Sequence, residues 1–144
     1  MGTMTWADVM AHPQLQDLPF KIELNRWGRI EMSPASNQHG KVQMDVGAEL
    51  RQRAGGQAIA ACSIQTADGV RVAGVARISD ARLAEMGQVT PLPRAPEVCV
   101  EIMSPSNSWA TMHIKAGLYL EAGADEVWIQ TLDGQRTVIK PPKG

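Results

Sequence analysis

The run Glu97-Val98-Cys99-Val100-Glu101-Ile102-Met103, closed by Pro96 and Pro105, constrains the fold more than any other segment. Proline lacks the N–H that a helix interior or a central strand needs, so both ends are fixed. Val98, Val100 and Ile102 alternate on one face, which predicts a strand. Apart from Glu97 at its start, the companions of Glu101 are apolar on both faces. A buried carboxylate without a partner costs several kcal/mol or becomes neutral, so a cation is expected beside Glu101.

The remaining pattern supplies the layers around that strand. Phe20, Ile22 and Leu24 alternate with Lys21, Glu23 and Asn25, Trp27-Gly28 turns the chain, and Ile30 and Met32 alternate with Arg29 and Glu31, which predicts an N-terminal β-hairpin. After Ser33-Pro34, Ser36 or Asn37 caps a helix carrying Val42, Val46 and Leu50, and Gly55-Gly56 ends it. Short strands are predicted over 58–65, 69–75 and 77–80, with a turn at Asp68-Gly69 and a loop over 81–95. Asn107 or Ser108 caps a second helix that ends near Gly123, with Trp109, Met112, Ala116, Tyr119 and Leu120 as its apolar stripe. A last hairpin over 127–131 and 137–140 turns at Asp133-Gly134, while 1–19 reads as a short helix or a loosely specified arm. The order describes an α/β domain, a mixed β-sheet flanked by two main helices.

At 144 residues the chain is expected to form a single domain over 1–144 with one core. Hydrophobic residues at 44% and charged residues at 20% exclude a disordered or fibrous chain. The formal charge of −1 excludes a global basic field, so any phosphate-binding surface must be local. Cys62 and Cys99 lie in apolar runs without metal-ligand spacing, which fits buried free thiols and a cytoplasmic setting. No run reaches the ~18 apolar residues of a membrane span, and no export signal is expected.

Four further polar residues carry possible chemistry. Lys115 flanks the stripe beside Tyr119 and Met112, where alone it reads as a snorkelling lysine whose loss would leave folding nearly intact. If its helix folds back along the strand, it lies at a depth similar to that of Glu101. Asp80 at a strand end and Glu23 on the hairpin each read alone as surface acids, and His39 as a solvated residue at a helix start. Three carboxylates and a lysine converging would form a hard-cation site able to hydrolyse a phosphodiester.

The segment from Ala95 to Asn107, followed by Lys115, Tyr119, Gly123 and Glu126-Val127-Trp128-Ile129, resembles the Uma-two family of restriction-endonuclease-like proteins in the PD-(D/E)XK nuclease superfamily. Glu23-Leu24, Gly28, Met32-Ser33-Pro34 and His39 extend the resemblance upstream. It implies a restriction-endonuclease-like fold in which Asp80 and Glu101, with the backbone carbonyl of Ile102, hold Mg²⁺ or Mn²⁺. Lys115 is then catalytic, Glu23 an additional acid and His39 an accessory residue. Ser79 stands where the family usually has proline, and the chain is shorter at its C-terminus than typical relatives.

The expected function is Mg-dependent endonuclease action on nucleic acid, DNA in particular, by a homodimer whose partner covers strand edges and apolar surface around Trp128 and Val138. Arg71, Arg77, Arg82 and Arg94 are candidate phosphate contacts. The alternative is an inactive nuclease-fold interaction module. A small-molecule binding domain ranks last, for want of a glycine-rich phosphate loop or an aromatic lining.

Overall fold

A computed structural model of the chain describes residues 3–142. Helix α1 (Trp6–Ala11) starts at a reciprocal cap between Thr5 and Asp8 and runs through a 3-10 turn into strand β1 (Phe20–Leu24). Strand β2 (Ile30–Pro34), helix α2 (Asn37–Ala54), and strands β3 (Gln57–Thr66) and β4 (Gly69–Ile78) follow. Helix α3 (Asp80–Met86), strand β5 (Val98–Met103), helix α4 (Trp109–Glu121), and strands β6 (Glu126–Thr131) and β7 (Arg136–Ile139) complete the described chain.

The sheet is mixed, in the order β2-β1-β4-β5-β6-β7, with β3 along the other edge of β4. β5 and β6 are parallel and joined by α4, and the other pairs are antiparallel. Alternation along β5 serves two layers. Val100 and Ile102 pack with Val46, Leu50, Val75 and Trp128 on the α2 side, and Cys99 packs with Ala116, Tyr119 and Val127 on the α4 side. A third cluster of Val9, Leu24 and Val70 fastens the N-terminal segment to β1 and β4.

Three expectations change. The strands expected over 69–75 and 77–80 are one strand, β4, paired with β3 from Gln57↔Ile78 to Thr66↔Gly69. Residues 80–86 form a helix instead of a loop, because the Ser79 hydroxyl accepts from the Arg82 N–H and Gly87, at φ 78°, closes its C-terminus. Trp109 lies outside the packed stripe and is exposed.

The feature that positions the site is a split on one edge of β4. There β1 pairs only at Leu24↔Val70, and β5 pairs from Val75↔Val100 to Arg77↔Val98. Between those contacts residues 71–74 have no ladder partner on that edge, and buried backbone N–H groups need acceptors.

Candidate active site

Two glutamates supply those acceptors. Glu23 Oε2 accepts the Val72 N–H at 2.7 Å, and Glu101 Oε2 accepts the Gly74 N–H at 3.3 Å. The carboxylates of β1 and β5 thus fill the gap where the two strands separate along β4. Glu101 is 2% exposed and Glu23 7%. Their charges are matched by lysines. Lys115 Nζ lies 2.8 Å from Glu23 Oε2 and 2.9 Å from Glu101 Oε1, so one ammonium bridges both acids. Lys21 Nζ lies 3.1 Å from Glu101 Oε1 and 3.9 Å from Glu23 Oε2.

α4 reaches Glu101 twice. Lys115 and Tyr119 are four residues apart, so they share one helix face, and the Tyr119 hydroxyl donates to Glu101 Oε2 at 3.4 Å. On the other flank, Arg71 contacts Glu23 at 3.5 Å but is held more closely by Glu31 at 2.8 Å and Asp68 at 2.7 Å. Two clefts open beside the cluster. One of about 1090 Å³ includes Lys21, His39, Gln43 and Gly74, and one of about 300 Å³ includes Glu23, Arg71 and Lys115.

The structure brings together Glu23, Glu101 and Lys115 and does not bring Asp80 to them. Gly74 is the β4 residue whose N–H touches Glu101, and Asp80 lies six residues further along the chain, roughly 20 Å for an extended strand. Asp80 is exposed in the first turn of α3, where a carboxylate favours the helix N-terminus. Asp80 therefore stands apart from the three residues that the structure brings together. The Ile102 side chain packs on the α2 side of β5. His39, expected to be solvated, is partly buried in the first turn of α2, and its Nδ1 has no hydrogen-bond partner. Burial and the nearby Lys21 charge lower its pKa, which keeps the ring neutral at neutral pH.

Lys21 and Tyr119 were legible only as a polar hairpin position and a core aromatic. The signal for Lys21 was present in its spacing, since residues two apart on a strand share a face and Lys21 precedes Glu23 by two. The arginines read as phosphate contacts have structural partners. Arg77 donates to the carbonyls of Ala54 and Gly55 at the end of α2, and Arg82 to those of Ala95 and Gly123.

Burial alone would raise the Glu101 pKa, yet Lys21 and Lys115 hold it below the ordinary carboxylate value. Burial would lower Lys115, yet Glu101 and Glu23 raise it above the ordinary lysine value. The depressed carboxyl stabilises the fold fully above its unfolded value of about 4.3, and this is lost as pH falls through the lower folded value. The raised lysine stabilises fully below its unfolded value of about 10.4, and this is lost as pH rises through the higher folded value. Urea midpoints should therefore fall at both pH extremes, and Glu101→Gln should flatten the acid limb. An acid limb unchanged in that variant would assign acid sensitivity to other carboxylates.

As a donor set, two carboxylates suit a hard cation that keeps several waters, as Mg²⁺ does when bound by one or two acids and substrate phosphate. Among the described residues no group of three or more His, Cys, Asp or Glu side chains is arranged to hold a metal.

The buried pair of acids with its bridging lysine sits in the split of a mixed sheet, and comparisons with known proteins give the class to which this fold belongs. The Uma2 family, described as "Putative restriction endonuclease", matches residues 10–142, and the chain belongs to that family. Its fold is similar to a crystal structure titled "a putative nuclease belonging to DUF820" from Anabaena variabilis ATCC 29413. That similarity has a TM-score of 0.70 and 20% identity, covering 85% of this chain and 73% of the other. No curated protein matches the chain. No helix among the described residues is long and apolar enough to cross a membrane.

Proposed function

We propose that this chain is a Mg²⁺- or Mn²⁺-dependent endonuclease that hydrolyses phosphodiester bonds of nucleic acid, DNA in particular, with Glu23 and Glu101 holding the ion. The observation that carries the reading is that two buried acids from separate strands meet at one lysine nitrogen, 2.8 and 2.9 Å away, in a member of a restriction-endonuclease family. The ion, when bound, would supply a more acidic water and neutralise charge on the phosphoryl group. Glu23 and Glu101 are anchored for that task by the Val72 and Gly74 N–H groups. Lys115, raised in pKa, stays protonated near neutrality, so it serves as a cation and hydrogen-bond donor toward phosphate or water and not as a general base. Tyr119 orients Glu101, and His39 lines the larger cleft beside Lys21 as an accessory neutral group.

The test is cleavage of plasmid and of single-stranded DNA with Mn²⁺, repeated in excess chelator, beside a calorimetric Mn²⁺ titration. Metal-dependent cleavage is expected, with loss on chelation. Absence of both binding and cleavage would favour a second reading, an inactive nuclease-fold interaction module. Two observations support that alternative: Asp80 is remote, and the two lysines already neutralise the two acids.

Two assignments accompany the proposal. The outer edge of β7 pairs with no described strand and Val138 is 47% exposed, which supports a homodimer through that edge. Trp128 plays no part in it, because it is buried and covered by the Arg136 guanidinium 4.0 Å from its ring. Light scattering that returns the 15.6 kDa monomer at micromolar concentration would reject the dimer. Cys62 and Cys99 are free and buried, with burial pushing the Cys62 thiol up to about 12, which fits a reducing cytoplasm.

A further inference from the structure

We propose that Lys21 is a tethered cation that competes with the divalent ion for Glu101 and so sets the metal affinity of the site; this rests on the metal-dependent reading above. The charge balance of the cluster motivates it. Glu23 and Glu101 carry two negative charges, and Lys21 and Lys115 return two positive ones at hydrogen-bond or ion-pair distance. Arg71 adds no free charge, since Glu31 and Asp68 hold it. The buried cluster is therefore neutral as it stands. A divalent ion entering it unopposed would leave two uncompensated positive charges in a poorly solvated place, which is strongly unfavourable. Binding is coupled to the departure of an ammonium.

Geometry selects which one leaves. Lys115 touches both acids below 3 Å, and its side chain is 11% exposed on a packed helix. Lys21 makes the longer contacts, 3.1 Å to Glu101 and 3.9 Å to Glu23, with 18% of its side chain exposed. It also borders the larger cleft, so its flexible stem has room to swing its head out of the cluster. Lys21 Nζ sits 3.1 Å from Oε1 and 3.3 Å from Oε2 of Glu101, occupying both oxygens that a metal would use. Substrate phosphate arriving through that cleft would offer the displaced ammonium a new partner, linking metal uptake to substrate.

The experiment is calorimetric Mn²⁺ titration of the wild type, Lys21→Met, Lys21→Gln and Lys21→Arg, with urea midpoints measured on each without metal. Lys21→Met and Lys21→Gln should bind Mn²⁺ about tenfold or more tightly, because a like charge within ~4 Å of the ion is removed. Lys21→Arg should stay near the wild type. If Lys21→Met does not fold, Lys21→Gln, which keeps a hydrogen-bond donor to Glu101, carries the measurement. Unchanged or weaker binding in the neutral variants, beside wild-type binding that depends on Glu101, overturns the competition while leaving the metal site standing. No binding in the wild type or in any variant overturns the metal site and the competition together.

Discussion

Lys115→Met should lower stability by about 3 kcal/mol, the scale for breaking a buried ion pair by removing one partner. The substitution keeps the apolar stem but strips the ammonium from both Glu23 and Glu101, which are 7% and 2% exposed and cannot be rehydrated in place. Lys21 would then be the nearest cation to Glu101, while Glu23 would keep only Arg71 at 3.5 Å, already held more closely by Glu31 and Asp68, and Lys21 at 3.9 Å. Glu101→Gln should have a smaller effect, about 1 kcal/mol, because Lys115 retains Glu23 and the amide can still accept from Gly74. The double variant Glu101→Gln/Lys115→Met should lose less than the two singles together, by about 1–2 kcal/mol, as expected for contacting residues. Urea unfolding with an unchanged slope measures all three. A loss below about 0.5 kcal/mol for Lys115→Met would mean that its head lies in water after all.

That expectation reverses the one drawn from the sequence, and the reason generalises across this chain. Local periodicity makes β5, α4 and the α2 core face legible: Val98, Val100 and Ile102 alternate, and Val42, Val46 and Leu50 recur every fourth residue. What periodicity does not carry is how β1 and β5 share one edge of β4. That split depends on pairing between residues far apart in sequence, Leu24 with Val70 and Val75 with Val100, and it sets which side chains face a neighbour's unpaired backbone. The anomaly of Glu101 inside an apolar strand was visible, and the need for a cation followed from burial. The identity of the cations was half visible: Lys115 from helical geometry, but not Lys21, hidden in an alternating hairpin whose polar face is not wholly solvated. Alternation alone puts Asp80 at the end of a strand, whereas Ser79 with Gly87 eight residues later is also a helix start and stop, and it is the helix that forms.

The misplaced acid makes the catalytic prediction sharper. Glu23→Gln and Glu101→Gln should each weaken Mn²⁺ binding and lower cleavage by about 100-fold or more, the upper end of what support groups around a metal contribute. Both side chains accept a backbone N–H through one oxygen and meet Lys115 nearby, so an amide keeps much of the packing and removes chiefly the charge that holds a cation. Asp80→Ala should leave Mn²⁺ affinity and cleavage within about twofold of the wild type, since a surface substitution away from the site shifts energies by about 0.5 kcal/mol or less. Its effect should be confined to a small loss of stability from the first turn of α3. Parallel calorimetry and plasmid cleavage on the three variants separate the outcomes. Equal affinity in wild type and Glu101→Gln would reject the pair of glutamates as the metal site. Loss of metal binding in Asp80→Ala alone would require β4 and α3 to rearrange by roughly the 20 Å that six extended residues span, and would restore Asp80 to the role that the resemblance implies.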